Sequence, residues 1–322
     1  MFRTSWDIRH NCVTLAAIAF AALTLLPLRQ GLASDIKIDS REYKLMLKPG
    51  EFAGTDPRAN IDRFVREELT LLVRAHWSAA AAERLQDRGL KLEKSRIVQF
   101  KDTEKCLLSH NGFAWRERFK LNNSGERSGE ATGTFKFRSP DIFLAAASRK
   151  SGGSDCKFEE DLTPVAVRTE AGSGVIANPR SVRSQFSQSC SHETSATSFP
   201  ADLAAVAKLN PMFEPGLNAA FSTADMLLKL VPGEKFLERV YESKKLMVHG
   251  DTEAEFALTV WYPDAGDHSQ PYIAEISYKY ETKGHSVSHE VAKRALTLLV
   301  NLQDSQWADP SAPTKTTYAK CD

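Results

Sequence analysis

The sequence predicts an α+β fold in which eight two-faced strands close into an antiparallel barrel, a tunnel with helices packed around it. Three features carry that expectation. Residues 97–121 read as a hairpin arm with Phe113, Trp115, Phe119 and Leu121 on one face and Arg116, Arg118 and Lys120 on the other, because side chains alternate along a strand. Residues 131–140 repeat the pattern, with Phe135 and Phe137 opposite Thr132, Thr134, Lys136 and Arg138. The other strands are nearly all two-faced as well and are joined mainly by hairpins. An open sheet of that size would leave its cations idle on the surface, whereas a closed ring encloses one face and removes the edges. Cations two residues apart repel unless water or an anion lies between them, so the enclosed face is expected to be a hydrated anion site, with the aromatics turned outward beneath the helices.

The elements follow in order. Residues 1–33 read as a secretory signal: Arg3, Arg9 and His10 precede the uncharged run Cys12–Leu28, and small residues around Gly31-Leu32-Ala33 place cleavage after Ala33. That run is followed at once by Arg29 and is too short for a permanent span, so a secreted or periplasmic location is expected. A strand over 36–47 stops at Pro49-Gly50. Asp56-Pro57 then opens an amphipathic helix with Ile61, Phe64, Val65, Leu69, Leu72 and Val73 on its apolar side, ending near Gly89. A short acidic strand covers 156–162. Residues 163–198 are rich in Ser, Gly and Arg and read as a mostly irregular excursion, with 181–190 open between strand and helix. Helices are expected at 200–209 and 219–230, strands at 236–248, 254–262 and 272–281, and a helix capped by Ser288 at 288–302. The tunnel domain is thus 34–308, with a C-terminal tail at 309–322.

Charge and cysteine content narrow the function. Of 42 Lys and Arg and 41 Asp and Glu, loss of Arg3, Arg9, Arg29 and Asp7 with the signal leaves 39 and 40. A near-neutral chain argues against a general nucleic-acid or anionic-membrane surface, so an anion site has to be local. Cys106, Cys156, Cys190 and Cys321 survive processing, and an even number in an exported chain favours two disulfides, with three connectivities open. No C-x-x-C, H-E-x-x-H, phosphate loop or G-x-S-x-G elbow is present, and His285 with His289 reads as exposed helix-start residues rather than a metal pair.

An apolar strand followed by Asp102-Thr103, Leu107-Leu108, Gly112 and then Arg116-x-Arg118, with Thr134-x-Lys136 on the next strand and Ile273-Ala274-Glu275 on the last, resembles the CYTH, or triphosphate-tunnel, superfamily. The resemblance covers about 37–302, with an enlarged insertion at about 163–235. It implies an eight-stranded antiparallel tunnel whose basic residues grip a triphosphate or similar polyanion while acids hold one or two Mg²⁺ or Mn²⁺ ions. Guanidinium forks suit phosphate oxygens, and hard divalent ions need carboxylates and neutralise charge on the transferred group. Carried onto this chain, it makes Lys44, Arg116, Arg118 and Lys136 the expected catalytic residues, adds Lys120 and Arg138 to the anion-binding set, and makes Glu42, Glu159, Asp161 and Glu275 the expected metal ligands. The chain departs from the pattern in its acids. The first motif is Ser40-x-Glu42-x-Lys44, one glutamate short, and Ser277 and Lys279 follow Glu275 where further acids belong. Use of Mg²⁺ or Mn²⁺ is thereby put in question, with Glu159 and Asp161 as the acids that would compensate.

The expected partner is a small polyanion, bound and in the catalytic version hydrolysed. Nucleoside triphosphates are scarce outside the inner membrane, which favours inorganic triphosphate or polyphosphate. The opposing reading is a carrier or assembly barrel for an amphiphile or a protein partner. It requires the opposite register, with Phe113, Trp115, Phe119, Phe135 and Phe137 inside and Arg116 and Lys136 outside.

Overall fold

The computed structural model describes residues 36–315 apart from 55, 123, 148–155, 169–174, 196–197, 265–267 and 283–287. The signal segment with its cleavage point, His285, Cys321 and the last seven residues lie outside the described residues. The strands are β1 (Ser40–Leu47), β2 (Lys91–Asp102), β3 (Phe113–Leu121), β4 (Arg127–Ser139), β5 (Cys156–Arg168), β6 (Val175–Ser195), β7 (Val231–Glu242), β8 (Leu246–His249), β9 (Thr252–Pro263) and β10 (Ile273–Glu281). The helices are α1 (Arg58–Phe64), α2 (Thr70–His76), α3 (Ala79–Arg88), α4 (Leu107–His110), α5 (Ile142–Ala147), α6 (Leu203–Leu209), α7 (Glu214–Ala220) and α8 (His289–Leu302). A π-helical turn at Val65–Leu69 joins α1 to α2.

The strands run β10-β1-β5-β6-β4-β3-β2-β7-β9, and β9 pairs back onto β10, so nine strands close a ring while the short β8 hangs on the start of β9. The expected eight antiparallel strands are therefore corrected to nine with one parallel pair, β1 with β5. Strict up-down alternation cannot close around an odd number of strands, so one parallel neighbour is unavoidable. The extra strand is β6, in the stretch expected to be mostly irregular. It is laddered on both edges, Cys190 opposite both Phe135 and Cys156, and a Cys156–Cys190 disulfide staples it to β5. Its inward positions Ser187, Ser189 and Ser191 are small and polar, so the apolar alternation that marks a strand is missing. Cys106 is also disulfide-bonded.

Two other expectations shift. The strand expected over 236–248 is β7 and β8, broken at Ser243, whose hydroxyl accepts the Phe256 backbone N–H at 3.0 Å. The helix expected over 219–230 is not formed: α7 lies earlier and ends at Ala220, Pro215 favouring the earlier start, and only a 3₁₀ turn at Asp225–Leu227 falls inside that range.

Outward side chains make the core. Tyr43, Leu45, Leu258, Val260, Ile276 and Tyr278 pack under α1–α3 and α8, where Tyr43 and Tyr278 stack at 5.0 Å and the Tyr278 hydroxyl donates to the Ala295 carbonyl at 2.6 Å. Phe113, Trp115, Phe135 and Phe137 lie outside the ring as expected, beneath α6 and α7. Each such burial is worth about 1.5–3 kcal/mol, and a one-residue slip would exchange these rings for Arg116, Arg118 and Lys136, which pins the register. The opposite register demanded by an amphiphile carrier is thereby overturned.

Candidate functional site

The β2–β3 hairpin is aimed by its turn. The Asp102 carboxylate accepts hydrogen bonds from the backbone N–H groups of Thr103 (2.7 Å), Leu108 (2.8 Å) and Ser109 (2.8 Å), satisfying donors that would otherwise stay open at the start of α4. Gly112 turns the chain at φ +78°, where an added Cβ would lie 2.6 Å from the Arg138 carbonyl oxygen. Asp102 and Gly112 are thus scaffolding. They return β3 with Arg116 opposite Phe100 and Arg118 opposite Val98, on the inner face.

Inside the bore the charges sort into two clusters. Asp161 on β5 lies 2.9 Å from Lys44 of β1, 3.4 Å from Lys136 and 3.7 Å from Arg138 of β4, and Lys44 also lies 2.9 Å from Glu42. Across the bore, Glu238 of β7 pairs with Arg96 of β2, accepts the Trp261 indole N–H at 3.0 Å and stands 3.9 Å from Arg118. Arg96 and Glu238 escaped the sequence reading. The signal was present at Glu238, a charge at an inward position of the apolar run Phe236–Val240, but only the closed ring shows that this face is the lining. Lys120 is two-thirds exposed at the rim, paired with Glu130 at 2.9 Å, rather than deep in the bore. A cavity of about 1270 Å³ opens there, with Lys94, Arg96, Arg118 and Lys120 on its walls.

Arg116 stands outside both clusters, its guanidinium 6.0 Å from the Phe100 ring, while the bore's ion pairs take up Arg96, Arg118 and Arg138. Arg116 Nε, Arg118 Nε and Ser187 Oγ are buried with no hydrogen-bond partner among the described residues. Ser187, another residue without a sequence signal, faces inward opposite Arg138 and Glu159.

Electrostatics describe a lining with excess positive charge. Burial lowers the Arg116 guanidinium to about 10, Glu238 opposing the shift and Arg96 and Arg138 adding to it. Burial, then Arg116 and Arg96, hold Arg118 well below the ordinary arginine value. Burial likewise brings the Lys136 ammonium down to about 8, despite Asp161. The acids go the other way. Burial would raise Asp161, but Lys136, Lys44 and Arg138 together hold it far below the usual carboxylate range, and Arg96 and Arg118 do the same for Glu238. A bound anion would relieve all three strained cations.

The acids expected to hold a divalent ion are each tied to an ammonium. Glu42 and Asp161 share Lys44, Glu159 accepts from the Ser40 hydroxyl at 3.0 Å with Lys279 at 3.9 Å, and Glu275 is held by Lys315 at 2.7 Å. Among the described residues no three His, Cys, Asp or Glu side chains converge as a metal site. So arranged, these residues do not fit a Mg²⁺ or Mn²⁺ ion, which needs several oxygens at once.

No family model matches the chain. No curated protein matches it either. Similar solved structures include HpAC1 from Hippeastrum, named for adenylyl cyclase and described as having a dominant triphosphatase activity. It is 12% identical, with 88% of this chain and 95% of that chain covered, at a TM-score of 0.41. A Bacillus halodurans protein named for adenylate cyclase is 10% identical over 88% of this chain and 97% of its own, at a TM-score of 0.37.

Proposed function

We propose that the bore binds a small, multiply charged phosphate compound of the triphosphate or short polyphosphate type. The observation that carries this reading is Arg116, a half-buried side chain whose Nε is buried without a hydrogen-bond partner among the described residues and which stands apart from the bore's ion pairs. Keeping such a cation partly out of water without a direct ion-pair partner is costly, and the cost is recovered when an anion enters. Guanidinium groups present forked N–H donors that match phosphate oxygens two at a time, and Arg116 and Arg118, two residues apart on one strand, would address neighbouring phosphates. Lys136 and Arg138 lie two strand positions apart on β4, and Ser187 adds a hydroxyl donor. With the N-terminal signal-like segment, the ligand is an inorganic polyanion met outside the cytoplasm rather than ATP.

Binding is favoured over hydrolysis, because every carboxylate that would steady a metal or activate water is already in an ion pair. The amphiphile reading loses its support with the aromatics buried outside the ring.

Calorimetric titration with sodium tripolyphosphate and with orthophosphate tests the proposal. Tripolyphosphate should bind at least about tenfold more tightly than orthophosphate, and Arg116→Ala should weaken it about 10- to 100-fold, since a hydrogen bond to a charged group is worth about 1.5–3 kcal/mol. Absence of binding by both anions would overturn it.

A further inference from the structure

The segment after α8 brings a cation into the bore. Ala308 bridges to Leu47, and the Asp309 N–H donates to the Met46 carbonyl at 2.9 Å, which fastens the chain to the end of β1. Ala312 then packs on Met46, Val98, Phe236, Trp261 and Ile273, inner-face side chains that make this part of the lining apolar. Three residues on, Lys315 Nζ lies 2.7 Å from the Glu275 carboxylate, whose side chain is only 3% exposed. The charge of Lys315 also reaches Glu238 on the facing strand β7. Glu275 has Met46 and Thr259 as its cross-strand neighbours, neither of them a carboxylate.

We infer that Lys315, delivered by the C-terminal segment, is a built-in replacement for a divalent ion at Glu275, so that the bore takes its polyanion free of metal. The inference rests on the reading of the bore as a polyanion site. An ammonium neutralises a carboxylate with one charge and three donors, and it offers no open coordination position through which phosphate oxygens could be bridged. Lys279, which stands where the resemblance calls for an acid, is set against Glu159 in the same way. A triphosphate already carrying Mg²⁺ has lost negative charge and would press its ion against Arg116 and Arg118. The uncomplexed anion is therefore the preferred ligand.

Two arms test this on the full chain. In the first, tripolyphosphate is titrated by calorimetry in EDTA and again in excess Mg²⁺. Metal-free binding should be at least about tenfold tighter, and a requirement for Mg²⁺ would overturn the inference while leaving polyanion binding standing. The second arm uses no anion, so its answer does not depend on the polyanion reading: the electron paramagnetic resonance signal of free Mn²⁺ is followed as protein is added. Wild type should leave the signal unchanged, whereas Lys315→Met, which frees Glu275 and takes a countercharge away from Glu238, should reduce it, and Lys315→Arg should restore wild-type behaviour. Equal Mn²⁺ uptake by wild type and Lys315→Met overturns the inference. Should Lys315→Met fail to fold by near-ultraviolet circular dichroism, Glu275→Gln decides in its place. It should strengthen tripolyphosphate binding in EDTA by removing a repelling charge, and weakened binding would overturn the inference.

Discussion

The Lys44 ammonium lies 2.9 Å from the Asp161 carboxylate, across the single parallel strand pair of the barrel. Lys44 is therefore neutralised inside the protein, and Asp161 holds Lys136 and Arg138 nearby as well. Removing one partner of a buried ion pair costs about 3–5 kcal/mol, because the charge left behind is uncompensated. Asp161→Asn should lose stability of that order in urea denaturation without ligand, and recover much of it in millimolar tripolyphosphate. An equal loss with and without the anion would show that the freed cations are not open to the bore.

Arg116 should behave in the opposite way. Its side chain makes none of the bore's ion pairs, so replacing it by an apolar group of similar reach removes a desolvated charge rather than a contact. Arg116→Met is expected to match or exceed wild-type stability while tripolyphosphate affinity falls about tenfold or more. Chemical denaturation and calorimetry on the same preparations would show the two effects diverging.

The Lys136 ammonium, lowered to about 8 from an ordinary 10.5, sets a pH window. Its folded value lies below its unfolded one, so the unfolded chain binds more protons between those two values and stability rises with pH across that interval. Ligand binding should respond oppositely. A polyanion favours the charged form, so affinity should weaken as pH rises through about 8 and binding should take up a proton there. Calorimetry in buffers of different ionisation enthalpy measures that uptake directly, and a flat affinity from pH 7 to 10 would remove Lys136 from the site.

Asp161 and Glu238 govern the acid limb. Both carboxyls are held below their ordinary values of 3.8 and 4.5. Their contribution is thus fully present above those values and is lost as pH falls toward the depressed folded ones. Acid unfolding should set in below about pH 4, and Glu238→Gln, already destabilised at neutral pH, should show a shallower acid limb in circular dichroism titrations.

Asp102 tests how the hairpin is aimed. Asp102→Ala leaves the N–H groups of Thr103, Leu108 and Ser109 without their acceptor, a loss of about 1–2 kcal/mol by analogy with helix caps. Anion affinity should fall with stability, although Asp102 belongs to the turn and not to the charged lining.

Local chemistry made much of this protein legible from residue order. Alternation in Phe113–Leu121 and Thr132–Arg138 separated aromatics from cations, since a strand has only two faces and mixing them would bury charge in an apolar core. The same reasoning missed β6, whose inward serines carry no hydrophobic period, and so missed the odd strand count and the parallel contact it imposes. The family resemblance, rather than alternation, singled out Glu42, Glu159, Asp161 and Glu275, and it could not foresee their occupants. Lys315 is 40 residues beyond Glu275 in the chain and meets it only because the last segment folds back onto β1. Residue order thus determined which side chains share a face. Ring closure alone decided which charges cancel and that Arg116 is left over, because an ion pair depends on distance across the bore and strand periodicity carries no information about that distance.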